Sequence, residues 1–109
     1  MGGVVMIGAN LQYGTIARNT IGNVAACGWY NDNVYCDIAS DFGTLIEDMR
    51  LTVCSYVVDT EATPPGVVPR SCVTWQVDGS ILVIIDDPIG TTTIYRCVNF
   101  DDGFEEVTV

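Results

Sequence analysis

The chain has 109 residues and a net charge of −10, with four arginines, no lysine and no histidine against fourteen acidic residues. Such a charge repels phosphate backbones and anionic lipid surfaces, so we expect no direct nucleic-acid binding and no membrane association. A hydrophobic fraction of 49% argues against disorder. The length then predicts a single β-dominated domain over residues 1–109.

The N-terminal third is nearly uncharged, because Arg18 is the only charged residue before Asp32. Residues 3–9 are apolar and spaced by glycine, which predicts either a short buried strand or, over residues 1–9, an extended arm. Residues 10–26 alternate only weakly between apolar and polar side chains, and they predict a hairpin or an irregular β segment.

Two aromatic residues follow in a polar setting. Residues 28–33 have the sequence Gly-Trp-Tyr-Asn-Asp-Asn and predict a turn. We expect Trp29 or Tyr30 to be exposed there. Residues 34–39 alternate and predict a strand.

One helix is predicted over residues 41–50, and the alternative for this segment is a loop in an all-β domain. Its apolar residues recur at the spacing i, i+3, i+4 and i+7, which places them on one face of a helix. These residues are Phe42, Leu45, Ile46 and Met49. Ser40 or Asp41 is suited to cap the N-terminus.

Residues 51–58 predict a strand with Leu51, Val53 and Val57 on the same face. The following residues, 59–71, form a long loop that holds three of the four prolines of the chain. Loops of this length are uncommon in compact domains and are often functional.

The strongest local signal is Asp78-Gly79 between two β-rich runs, because this dipeptide favours a two-residue hairpin turn with φ > 0 at both positions. Such a turn puts Trp75 opposite Leu82 and packs the indole on that leucine. Residues 81–85 are apolar at every position, and a strand that is apolar on both faces is usually covered on both sides. We therefore expect 81–85 to be a central strand covered on each face.

Two further turns extend this hairpin into an antiparallel meander over residues 72–109. The first turn spans 86–90. The second, 101–103, puts glycine at a left-handed bulge position and Phe100 opposite Phe104. Strands from the N-terminal half are expected to complete a β-sandwich or a curled sheet, so the predicted fold class is mainly β with one short helix.

Five cysteines occur at positions 27, 36, 54, 72 and 97, without a Cys-x-x-Cys motif and without a histidine to complete a zinc site. They are interpreted as free thiols of a reducing compartment, or alternatively as two disulfides and one spare thiol of an exported protein. Cys54 and Cys72 flank the long loop and are the first pair to test for a bridge.

No catalytic, cofactor-binding or metal-binding residues are predicted, because the sequence offers neither a histidine or lysine base for a nucleophile nor a glycine-rich phosphate loop. It favours a non-enzymatic structural protein that acts through protein–protein contacts and self-association, such as a virion decoration, capsid or tail component or a filament subunit. One alternative is a small acidic inhibitor that mimics nucleic acid and binds a basic partner. Another is an exported, disulfide-bonded domain that binds a ligand. A virion or the cytoplasm is favoured over classical secretion.

The candidate interface residues are apolar or aromatic and lie in the N-terminal segment, the aromatic turn and the proline-rich loop. They are Val4, Val5, Met6, Ile7, Trp29, Tyr30, Pro64 and Pro65. Exposed aromatic residues are enriched at interfaces, and a neutral N-terminal segment is suited to add a strand to the sheet edge of a neighbour.

Overall fold

The computed structural model describes residues 6–108 and has two four-stranded antiparallel sheets packed around a shared core, so the mainly β prediction is confirmed. The elements in chain order are a 3-10 helix Ile7–Asn10, strands β1 Ile16–Arg18, β2 Val24–Tyr30 and β3 Asn33–Ala39, helix α1 Phe42–Glu47, and strands β4 Thr52–Ser55, β5 Arg70–Trp75, β6 Ile81–Asp86, β7 Thr92–Cys97 and β8 Glu105–Glu106. The first sheet has the strand order β1-β2-β3-β4, and the second has the order β5-β6-β7-β8. The second sheet is the predicted meander.

Strand β2 is the strand that is covered on both faces, a role that the sequence assigns to residues 81–85. Six consecutive residues of β2 are buried. Alternate side chains point into the core between the sheets, while Val24 and Ala26 pack on the opposite face against Leu45 and Met49. Helix α1 and the 3-10 helix therefore cover the outer face of the first sheet.

Strand β6 is covered on one face, so the expectation of a two-sided cover for residues 81–85 is wrong. Ile81, Val83 and Ile85 are buried in the core, whereas Leu82 and Ile84 point away from it and remain half-buried. Within residues 6–108 the only α-helix packs on the other sheet, which leaves the outer face of the second sheet without a helical layer.

The hairpin between β5 and β6 has a three-residue turn instead of the predicted two-residue turn. The Gln76 N–H donates to the Ser80 carbonyl at 2.8 Å, and within the turn only Gly79 has a positive φ, of 88°. The Asp78 carboxylate accepts the Ser80 N–H at 2.9 Å, which stabilises the wider turn. The extra residue shifts the strand register by one.

This register shift moves Trp75 to the inner face. Trp75 lies opposite Ile81, because a one-residue slip transfers side chains to the other face of a strand. Its indole Nε1 donates to the Ala17 carbonyl of the first sheet at 3.1 Å. The predicted contact of Trp75 with Leu82 is therefore wrong.

A two-residue turn with φ > 0 at both positions does occur, but between β2 and β3. Asn31 and Asp32 have φ values of 44° and 68°, and the flanking Tyr30 and Asn33 are paired. The turn predicted for residues 28–33 is thus limited to its centre, and its first part belongs to β2.

The remaining predictions for the N-terminal half are partly correct. Residues 7–10 form a 3-10 helix, so the strand or arm predicted for this segment is wrong where the structure describes it. The helix within 41–50 is confirmed, and the Asp41 carboxylate caps it by accepting the Thr44 N–H at 2.7 Å. A hairpin is present within residues 10–26, since β1 pairs with β2.

Strand β4 is shorter than predicted, and its alternation is interrupted. A register irregularity opposite Val34 and Tyr35 breaks the ladder between β3 and β4. Beyond it Val57 is 73% exposed while Val58 is buried, so the predicted shared face of Val53 and Val57 is wrong. A bulge of this kind adds one residue to one strand and thereby reverses the alternation after it.

The second half of the meander agrees with its sequence. Gly103 has a φ of 74°, as a left-handed bulge position requires. The rings of Phe100 and Phe104 pack edge to face with centroids 6.4 Å apart. The local turn chemistry is therefore sufficient to define this end of the sheet.

Replacing the core residue Ile81 by alanine is expected to lower the free energy of unfolding by about 2–5 kcal/mol, because it leaves a cavity between the sheets. Ile84→Ala is the matched control three positions along the same strand, and its cost is expected to be less than half as large. Urea denaturation at low protein concentration measures both values. Equal losses would contradict the assignment of the two faces of β6.

Candidate interaction surface

The outer face of the second sheet carries apolar side chains from neighbouring strands. Cys72, Ile84 and Ile94 lie opposite one another across β5, β6 and β7. Leu82 lies beside them on the same face of β6, and Val107 borders the group just beyond β8. These five residues, which we call the outer apolar surface, are exposed or half-buried and lie outside the two hydrophobic core clusters.

The outer apolar surface is concave at one end. Leu82, Ile94 and Val107 line a shallow depression of about 290 Å³, together with Arg96 and polar side chains at the turn of the β5–β6 hairpin. A second depression of about 350 Å³ is lined by Cys72 and Ile84, together with residues of the N-terminal segment beside β5. Apolar depressions of this kind can accommodate protruding side chains of a partner.

The charged side chains around this surface lie in pairs of opposite sign. Arg70 lies opposite Asp86 on the neighbouring strand, and Arg96 lies opposite Glu105. Arg96 also forms an ion pair with Asp78 at 3.0 Å. Two arginines and three acids give a local charge of 2 − 3 = −1, which is small for a chain with a net charge of −10.

The hydrogen bonds of Asp78 keep this ion pair charged. Hydrogen bonds from Ser80, and then the charge of Arg96, lower the pKa of the Asp78 carboxyl. Both partners of the pair are about half exposed, so the ion pair contributes little to stability. Its effect is on the charge pattern of the surface.

Among the aromatic and proline residues predicted as an interface, Trp29 does not lie on the surface. Trp29 is buried at 7% exposure, and its Nε1 donates to the Tyr56 carbonyl at 2.7 Å. Tyr30 is half-buried at the end of β2, whereas Pro64 and Pro65 are exposed in the long loop. Trp29 is thus a core residue whose polar atom is satisfied inside the protein.

Of the N-terminal candidates, Met6 and Ile7 are separated from the outer apolar surface. Val4 and Val5 lie outside the described residues. Met6 is 45% exposed, and Ile7 is half-buried against the cluster beneath α1. Both belong to the outer face of the first sheet, on the opposite side of the sandwich.

None of the five residues of the outer apolar surface is among the sequence-predicted interface residues. The signal that indicates them is the apolar character of both faces of residues 81–85. That pattern predicts burial by a layer of the same chain as readily as burial by a partner. Helix α1 packs on the first sheet, so within residues 6–108 this face has no helical cover.

A polar cluster closes one side of the sandwich between β4 and β7. The Tyr56 hydroxyl donates to Asp87 Oδ2 at 2.6 Å. Burial, and then this hydrogen bond, raise the pKa of Tyr56 to about 12. Burial also raises the pKa of the Cys54 thiol beside Tyr95, so Cys54 is protonated at neutral pH and is a weak nucleophile.

All five cysteines are free thiols in this structure. Cys54 packs against the core from the first sheet, whereas Cys72 is exposed on the outer face of the second. The two side chains point away from each other, so Cys54–Cys72 is the wrong pair for a bridge.

In the part of the chain that the structure describes, no cluster of three or more metal-ligating side chains occurs. No helix within residues 6–108 is long and apolar enough to cross a membrane. Comparisons with protein-family models, curated proteins and solved structures found no match to this chain. The function is therefore inferred from the geometry and charge of the surface itself.

The substitution Tyr56→Phe is expected to raise the pKa of the Asp87 carboxyl. Hydrogen bonds from the Tyr56 hydroxyl and then from the Ile89 N–H lower that pKa in the folded protein. A lowered folded-state pKa contributes stability above the unfolded-chain value of about 3.9, and this contribution is lost as the pH falls through the folded value. NMR titration of the Asp87 carboxyl carbon measures the change.

Tyr35→Phe is the matched control, because Tyr35 packs on the opposite face of the first sheet near α1. The Asp87 pKa is expected to be unchanged in this control. If Tyr56→Phe also leaves the Asp87 pKa unchanged, the hydrogen bond is not formed in solution.

Proposed function

We propose that this protein is a non-enzymatic assembly subunit that self-associates through the outer apolar surface of its second sheet. Virion decoration, capsid and tail components and filament subunits are proteins of this kind. The observation that carries the proposal is the half-buried pair Leu82 and Ile84, which continues an apolar strand onto a face that no layer formed by residues 6–108 covers. Antiparallel sheets that face water usually alternate apolar and polar side chains, and β6 does not.

Apolar area provides the driving force for such an association. Burying a Leu or Ile side chain that is otherwise exposed contributes about 1.5–3 kcal/mol, and a half-buried one contributes a fraction of this. Several such side chains are adjacent on the surface, so they can be buried together in one contact. Adjacent burial is what a stable interface core requires.

The charge of the chain favours a second copy on this particular face. Two copies with a net charge of −10 each repel one another, and the repulsion is greatest where acidic residues approach closely. Around the outer apolar surface Arg70 and Arg96 compensate the neighbouring carboxylates. Contact through this face therefore brings together two nearly neutral patches.

The edges of the second sheet are less suited to the same task. The β5 edge is occupied, because the Ser71 N–H donates to the Tyr13 carbonyl and the Val73 N–H donates to Thr15 Oγ1, each at 2.9 Å. The opposite edge strand, β8, has two residues, both acidic and exposed. Short, charged or covered edges oppose strand addition, which supports a contact between faces.

Sedimentation velocity over a series of protein concentrations tests the proposal. We expect a concentration-dependent dimer or larger assembly for the natural chain. Ile84→Lys places a charge in the centre of the surface and is expected to weaken the association at least about tenfold, since about 1.4 kcal/mol corresponds to a tenfold change.

Val77→Lys is the matched control, because Val77 is a fully exposed apolar residue at the tip of the β5–β6 turn, away from the strand rows. The control is expected to associate like the natural chain, and circular dichroism checks that both variants fold. A natural chain that is monomeric at the highest attainable concentration would refute the proposal, as would equal effects of the two lysines. A monomer that instead binds basic proteins in a salt-dependent manner would support the acidic inhibitor.

A further inference from the structure

Two cysteines lie directly opposite each other inside the core. Cys27 on β2 is the register partner of Cys36 on β3. Directly opposite residues point to the same face of a sheet, and both thiols face the second sheet, at 2% and 0% exposure. This arrangement is independent of the outer apolar surface and of the proposed function.

The backbone places Cys27 and Cys36 in a non-hydrogen-bonded pair. The Cys27 N–H donates outward to the Thr15 carbonyl at 3.1 Å, and the Cys36 N–H donates outward to the Leu51 carbonyl at 2.9 Å. In antiparallel sheets the Cα atoms of such pairs are about 4.5 Å apart, closer than in hydrogen-bonded pairs. Disulfides span Cα separations of about 4.4–6.8 Å, so this position is within reach of a bridge without strand movement.

The other three cysteines are less favourably placed for bridging. Cys54 lies beside Tyr95 at the edge of the sandwich, and Cys72 is exposed on the far side of the second sheet. Cys97 is on β7 of the second sheet and points into the core, so it faces Cys27 and Cys36 from the other sheet. Bridges between facing sheets cross a layer of about 10 Å, which is longer than a disulfide allows unless the side chains project directly at each other.

We propose that Cys27 and Cys36 are a redox pair that closes to an intramolecular disulfide by exchange with a small-molecule disulfide such as oxidised glutathione. One protein thiolate attacks the glutathione disulfide, forms a mixed disulfide and releases one glutathione thiolate. The second protein thiolate then attacks the protein sulfur of the mixed disulfide and releases the other glutathione. Two protein thiols are thereby oxidised to one disulfide, and one oxidised glutathione is reduced to two glutathione thiols, which take up the two protons.

Burial determines when the exchange takes place. Burial raises the pKa of the Cys36 thiol well above its usual value, and the neighbouring thiols and Asp37 act in the same direction. Thiolate is the reactive form, so the folded pair reacts slowly even with an oxidant in excess. The bridge therefore forms while the β2–β3 hairpin is still accessible during folding, and it is then shielded from reductants.

Oxidative refolding tests this pair. The reduced, urea-unfolded protein is diluted into native buffer with reduced and oxidised glutathione, and remaining thiols are counted after denaturation without reductant. The five cysteines are expected to leave 5 − 2 = 3 free thiols. Proteolytic cleavage after Tyr30 separates the two cysteines, so the bridged peptides are expected to stay joined until reductant is added.

Single substitutions identify the partners. Cys72→Ser is the matched control and is expected to leave 4 − 2 = 2 free thiols, while Cys36→Ala is expected to leave all four. Peptide mapping of the natural chain decides the question even if Cys36→Ala fails to fold. Five free thiols in the refolded natural chain would overturn the proposal, as would mixed glutathione disulfides alone or a bridge that includes Cys54, Cys72 or Cys97.

Discussion

Strand β2 is buried on both faces, and the positions of the second sheet and of helix α1 follow from this constraint. Small residues in β2, among them Ala25, Ala26 and Gly28, allow the covering chain to approach closely. A side chain at Gly14 would overlap the carbonyl of Cys27, so the segment that leads into β1 can run this close beside β2 only with glycine at position 14. The close approach of the neighbouring chain therefore depends on small residues. Such residues give only a weak signal in a hydrophobicity pattern.

The same N-terminal segment connects the two sheets. Its backbone and the Thr15 hydroxyl accept hydrogen bonds from β5, while Trp75 donates to Ala17 across the sandwich. These contacts satisfy edge amides that would otherwise be free to pair with another chain. Within residues 6–108 the β5 edge is covered and the outer face of the second sheet is not, so association of the proposed kind would involve side chains and apolar area, with the backbone ladder left intact.

Within residues 6–108 the sandwich is asymmetric, since one outer face has a helix and the other has none. On the covered side Leu45 and Met49 complete a second small core against β2. On the open side Leu82 and Ile84 continue the apolar pattern of β6 without a partner in residues 6–108. A second copy on that face would give β6 the cover that β2 obtains from its own chain. The proposed Cys27–Cys36 bridge would act on the opposite sheet and strengthen the hairpin around which this asymmetry is built.

Local sequence determined the elements whose formation depends on near neighbours: the meander, the capped helix within 41–50 and the left-handed Gly103. It also determined that residues 81–85 are apolar on both faces. Tertiary structure decided which strand has a helix packed on its outer face. The layer that covers this face comes from distant segments, and it depends on the small residues that let those segments approach. Tertiary structure also decided the hairpin register, which the Asp-Gly dipeptide alone leaves open, since the three-residue turn turns Trp75 inward, where its indole donates to the Ala17 carbonyl of the first sheet. For this reason the sequence could identify an apolar face that needs a cover, and only the fold showed that the helix within residues 6–108 packs on the other sheet.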